Sequence, residues 1–173
     1  MSHPASPARS DDEITVRIDC ADWSGALADP ADLCATAART ALAAVPPATA
    51  VELSILLAGD DYLRQLNHTY RGLDRPTNVL SFAAGQPFTD APGDMPQLLG
   101  DVAIAAQTTR REATQAGKTL ADHLSHLVVH GTLHLLGHDH ENDTDATKME
   151  DLERRILARL GIDDPYRSPP DEP

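Results

Sequence analysis

Six of the chain's eight histidines fall between positions 123 and 140, and the densest stretch reads HGTLHLLGHDH over residues 130–140. On an α-helix, residues four apart are separated by only about 40° around the axis. His130 and His134 therefore point the same way, about one turn apart, and two imidazoles so placed can bind one ion. Gly137 suits the left-handed position that ends a helix and turns the chain, and the turn can return a third ligand, His140, to the same ion. Three neutral imidazoles with one open position describe a catalytic zinc site rather than a closed structural one. Nickel, copper and iron also accept imidazole.

A single helical histidine is usually solvated or a satisfied core residue, so it is the joint pattern that points to a metal. His126 shares the stripe of His130 and His134, and His123 precedes it on a neighbouring turn. A fourth histidine would close the site, so both are expected to pack or to support the ligands. His138 is expected either to reach the cleft or to lie in solvent. Metalloproteases of the HExxH kind carry a glutamate directly after the first histidine as general base. Here that position is Gly131, which can do no proton chemistry, and a peptidase reading is weakened.

The elements that must hold these residues are legible in outline. ITVRID (14–19) alternates apolar and polar residues as a half-buried strand does, and VELSILLA (51–58), VLSFA (79–83) and LLGDVAIA (98–105) read as further strands. Asp29 to Ala44 is rich in Ala and Leu and is stopped by Pro46-Pro47. Asp60 and Asp61 are expected to cap a second helix, with Leu63, Leu66 and Tyr70 on one face. Thr108 to Lys118 reads as a short charged helix or loop, Leu120 to Leu136 as the histidine helix, and Thr144 to Leu160 as a last amphipathic helix closed by Gly161. RGLDRPTN (71–78) is a polar loop, and 85–97 a Gly- and Pro-bearing one expected to be mobile. The expected fold class is α/β (α+β): a small mixed four-stranded sheet with five to six helices and a zincin-like histidine helix. A single domain is expected over residues 13–166, between disordered tails at 1–12 and 167–173.

Composition limits the function classes. The 173 residues are 41% hydrophobic but only 3% aromatic, which argues against an RNA-stacking platform built from several exposed rings. A formal net charge of −13 is a poor match to a protein gripping nucleic acid over a broad basic surface. Cys20 and Cys34 form no CxxC pair and read as core residues or free thiols. No apolar run approaches the ~20 residues needed to span a bilayer, and the first residues lack the apolar stretch of a secretory signal. The expectation is a cytoplasmic protein with no membrane partner.

HGTLHLLGHDH, with YRGLDRPTNVLSF upstream, LLGDVAIA between, and MEDLERRILARLGIDDPY at the end, resembles the YbeY family from about Ile14 to Tyr166. These are bacterial ribosomal RNA maturation factors, described as single-strand-specific, metal-dependent endoribonucleases. The resemblance implies one zinc ion on His130, His134 and His140, and it places the family's functional arginine at Arg71. By sequence alone Arg71 is an ordinary loop arginine; the resemblance makes its guanidinium a fork for a phosphate and for the charge that builds during displacement. Arg75 extends the same patch, and Ser81 and Asp101 are expected to border the site. His138 and Ala83 depart from the Tyr and Pro that many relatives carry there.

Together these features imply a hydrolytic endoribonuclease of ribosomal RNA processing, acting at the 3′ end of small-subunit RNA and in ribosome quality control. Its nucleophile would be a zinc-bound water. Candidates for the general base are Asp139, Glu141, His138 and the zinc hydroxide itself. The expected partners are ribosomal RNA and ribosomal particles, with ribosomal or assembly proteins and without DNA. Two other classes stay open: a zinc peptidase or amidase, and a non-catalytic assembly factor whose fold zinc stabilises.

Overall fold

The computed structural model describes residues 11–84 and 96–167. The expected tail over 1–12 and the loop over 85–97 lie mostly outside the described residues, as does all but Arg167 of the expected C-terminal tail. Among the described residues the chain forms β1 (Glu13–Ile18), α1 (Ala21–Ala26), α2 (Pro30–Ala44), β2 (Val51–Ala58), α3 (Asp60–Arg71), β3 (Val79–Ala83), β4 (Gln97–Ala105), α4 (Ala106–Gln115), α5 (Leu120–Leu135) and α6 (Asp143–Arg159). The four strands make one sheet in the order β1-β2-β4-β3. β1, β2 and β4 run parallel and β3 pairs antiparallel with β4, so the sheet is mixed, as expected.

Alternation along the strands divides the core in two. Leu53, Ile55, Leu57, Val102 and Ile104 face α2, α5 and α6, where they meet Cys34, Ala38, Leu124, Val128, Leu133 and Ile156. Ala58, Ala103 and Ala105 face the other way, against Leu63 of α3 and Leu80. Burying aliphatic side chains on both faces of β2 and β4 gives the sheet its hydrophobic anchorage, at about 25 cal/mol per Å² of apolar area. Both cysteines are free thiols, and burial pushes the Cys34 thiol up to about 12.

Some elements differ from expectation. α1 was not anticipated: six residues carry no readable period, yet its Trp23 is buried and donates to the Ala58 carbonyl at 2.9 Å. Asp60 and Asp61 do not cap their own helix, whose N-cap is Gly59. Asp60 instead accepts from the Thr108 N–H and hydroxyl, each at 2.8 Å, while the Gln107 side chain accepts from the Asp60 N–H at 2.8 Å. The N-termini of α3 and α4 thus cap each other, which is why the 106–115 stretch is a helix. Asp12, at the end of the expected N-terminal tail, is buried and accepts from the Val51 N–H. No helix among the described residues is long and apolar enough to cross a membrane.

α5 carries the histidines. Thr119 caps it by accepting from the Asp122 N–H at 3.1 Å. At the far end Gly137 adopts φ +97°, a conformation glycine takes without steric cost. The Gly137 N–H reaches the His134 carbonyl and the His138 N–H reaches the Leu133 carbonyl, both at 3.0 Å. This paired closure of the helix end is the expected left-handed cap, and it turns the chain so that residues 138–141 fold back beside the helix.

Candidate active site

The turn at Gly137 returns His140 to the helix. His130 and His134 place their Nε2 atoms 3.0 Å apart, and the ring of His140 lies 5.7 Å from that of His130 and 5.1 Å from that of His134. One nitrogen from each of the three lies within 4.8 Å of the others. Zinc–imidazole bonds of about 2.0–2.1 Å in a tetrahedron require nitrogens about 3.4 Å apart, so the donor set suits one small cation with a position left open. Burial, followed by the neighbouring His130 and His140, holds the His134 imidazole below its ordinary value of 6.5. A neutral imidazole is the form that binds a metal.

Behind this trio lies a buried carboxylate that sequence reasoning missed. Glu153 of α6 is wholly buried and meets His130 Nδ1 through one oxygen. Its other oxygen accepts from the Tyr166 hydroxyl and lies 3.5 Å from His126 Nε2. Burial opposes the charge of Glu153, but hydrogen bonds from His126, His130 and Tyr166 outweigh it and hold the carboxyl at about 2. His126 thus approaches Glu153 and is not one of the three convergent imidazoles. His123 contacts Glu112, with its Nε2 3.0 Å from the carboxylate.

The three histidines line a cleft of about 810 Å³ together with Arg71, Arg75, Asn78, Ser81, Glu112, Asp139 and Glu141. Arg71 is the last residue of α3 rather than part of a loop, and Gly72 (φ +70°) turns the chain directly after it. Asn67, buried, fixes the following segment by donating to the Arg75 carbonyl at 2.9 Å. Neither arginine head makes an ion pair among the described residues, whereas Arg64 is tied to Asp74 at 2.7 Å. Asn78, directly before β3, donates to Glu112 at 2.9 Å, which holds that carboxylate at the cleft wall.

One residue expected to border the site is not brought in. Asp101 pairs with Phe82 across β3 and β4, whereas Ser81 pairs with Val102. Strand alternation therefore turns Asp101 to the opposite face, beside Arg17, Tyr62 and Tyr70. His138 lines a separate depression with Asp139, Asp145 and Lys148, outside the histidine cleft. Asp139 and Glu141 do reach the cleft. Glu112 is a further carboxylate there; its position 18 residues before His130, on another helix, left no local signal.

Residues 20–161 match the family described as endoribonuclease YbeY. The chain belongs to this family. An endoribonuclease YbeY of Paramagnetospirillum magneticum is 54% identical over 157 residues, covering 89% of this chain and 95% of the relative. One from Rhodopseudomonas palustris is 50% identical over 167 residues, covering 96% of this chain and 84% of the relative. The fold is shared with TM1509 of Thermotoga maritima, solved in solution, at a TM-score of 0.56 and 23% identity, covering 92% of this chain and 99% of that one.

Proposed function

We propose that the chain is a zinc-dependent, single-strand-specific endoribonuclease of the cytoplasm, acting in ribosomal RNA maturation at the 3′ end of small-subunit RNA and in ribosome quality control. One observation carries the reading: in a member of an endoribonuclease family, a single cleft holds three convergent imidazoles together with Arg71 and Arg75, whose heads no carboxylate among the described residues engages.

His130, His134 and His140 are the residues that would hold the ion. When bound there, zinc supplies a water of lowered pKa and polarises a phosphoryl oxygen. Arg71 binds the scissile phosphate and balances the charge that develops on it. Arg75, in the segment that follows α3, takes a neighbouring phosphate. Asp139, Glu141 and Glu112 are the carboxylates in the cleft able to accept the proton lost by the attacking water. Two arginines and three carboxylates among the lining residues make a cleft of mixed sign, which suits a few close phosphate contacts and no broad RNA track.

A peptidase reading lacks a base at position 131, and the packing around Gly131 leaves no room for one. The remaining alternative is an assembly factor that binds without cleaving. The experiment that separates them is metal analysis of the purified protein beside cleavage of defined single-stranded RNAs and of ribosomal particles. One zinc per chain with RNA cleavage supports the proposal, and one zinc with particle binding but no cleavage supports the assembly factor.

A further inference from the structure

We infer that Glu153 and Tyr166 are positioning residues for the metal centre: Glu153 selects the tautomer of His130, and Tyr166 locks Glu153 in the orientation that does so. The inference rests on the reading that His130, His134 and His140 hold a metal.

The chemistry follows from which atoms face each other. An ionised carboxylate can only accept, so the proton shared between Glu153 and His130 sits on Nδ1 of the imidazole. A neutral imidazole has one N–H. Its lone pair is then on Nε2, the nitrogen that faces His134 Nε2 at 3.0 Å. Had the proton been on Nε2, His130 would present a donor to the ion and could not bind it. The contact also passes negative charge to the ring, which strengthens it as a ligand.

A buried carboxylate with two free oxygens could rotate or draw in water. Here Tyr166 and His126 take Oε2, which leaves Oε1 to His130. Tyr166 lies beyond α6, and the turn carrying it is pinned from several sides. Arg154 donates to Asp164 at 3.1 Å, Asp164 accepts from the Tyr166 N–H at 2.8 Å, and Lys118 donates to the Pro165 carbonyl at 3.2 Å. The Tyr166 ring meets His126 edge to face at 5.6 Å, with the Arg154 guanidinium 5.3 Å from its centroid. The turn aims one hydroxyl at one carboxylate, and the segment after the last helix thereby becomes part of the metal centre without contributing a ligand.

The test uses the full chain and zinc alone as the probe. ¹⁵N-histidine NMR of the metal-free protein reads the tautomer, and competition with a chromogenic chelator reads zinc affinity. His130 is expected as the Nδ1–H form in the wild type. Glu153→Gln should weaken zinc binding by about 10- to 100-fold. Tyr166→Phe, which keeps the ring and spares the fold if Glu153→Gln does not, should weaken it by at least about threefold. A merely structural role for the pair would lower the melting temperature and leave affinity and tautomer unmoved. Wild type and both variants binding one zinc with equal affinity, or an Nε2–H His130, overturns the inference and leaves the three-histidine site standing. A wild type that binds no zinc overturns both.

Discussion

Gly131 lies so close to Val102 that a Cβ at position 131 would come within 2.8 Å of Val102 Cγ1 and 3.1 Å of Ser81 Oγ. The residue after the first histidine of the trio is thus a point where α5 touches the sheet, and its carbonyl accepts from the Ser81 hydroxyl at 3.2 Å. Replacing Gly131 with Ala should destabilise the protein by about 1–3 kcal/mol through overpacking, measured by denaturant unfolding. Gly131→Glu should cost more and should confer no peptidase activity, because the side chain would have to enter the sheet.

Stability of the metal-free protein should depend on pH through its imidazoles. Burial, opposed by Glu112, holds His123 below 6.5, and burial with the His130 and His140 charges does the same for His134. A depressed folded-state value means that the unfolded chain binds the proton more readily. The stabilisation is therefore full above about pH 6.5 and lost as pH falls below it. Glu153 is also depressed, to about 2, but its contribution is lost only below 4.5. Melting temperatures of metal-free protein should fall between pH 7 and 5. A flat profile over that range would show that the histidines titrate alike in both states.

How much of this was readable beforehand depended on the range of the interaction. His130 and His134 were legible because helix geometry alone relates residues four apart, and Gly137 announced the turn that returns His140. The four strands were legible because alternation is local. Glu153 was not, since a charged residue on an amphipathic helix reads as solvated until the partner that buries it, 23 residues away, is known. Asp101 was misplaced for want of the β3–β4 register, which assigns it and Ser81 to opposite faces. The mutual capping of α3 and α4 spans 47 and 48 positions and leaves no local trace.

The charge of −13 sets the expected mode of RNA binding. Among the described basic residues, Arg64 is engaged by Asp74, Lys118 by the Pro165 carbonyl, and Arg110 and Arg111 line a separate depression, whereas Arg71 and Arg75 line the cleft. Neutralising about two phosphates on a single strand gives a salt slope of about −1.4. Binding to free single-stranded RNA should be weak and shallow in salt, with cleavage faster on RNA presented in a ribosomal particle. Tight binding with a steep slope would mean a larger basic surface than the cleft provides.

Arg71→Ala should leave metal content and melting temperature unchanged, because the side chain is exposed and makes no ion pair among the described residues. RNA cleavage should fall by at least about tenfold, the loss of one charge contact to the transition state. Single-turnover kinetics with counted zinc checks both halves. Unchanged cleavage would remove Arg71 from phosphate binding.

The most direct measurement is cleavage of a defined single-stranded RNA by the wild type and by His134→Ala, with bound zinc counted for each. The wild type should carry one zinc per chain, lose activity to a chelator and regain it on zinc addition. His134→Ala removes one of the three proposed ligands and should lose both the metal and the cleavage. RNA cut equally well by His134→Ala or by metal-free wild type would contradict a catalytic metal at these histidines.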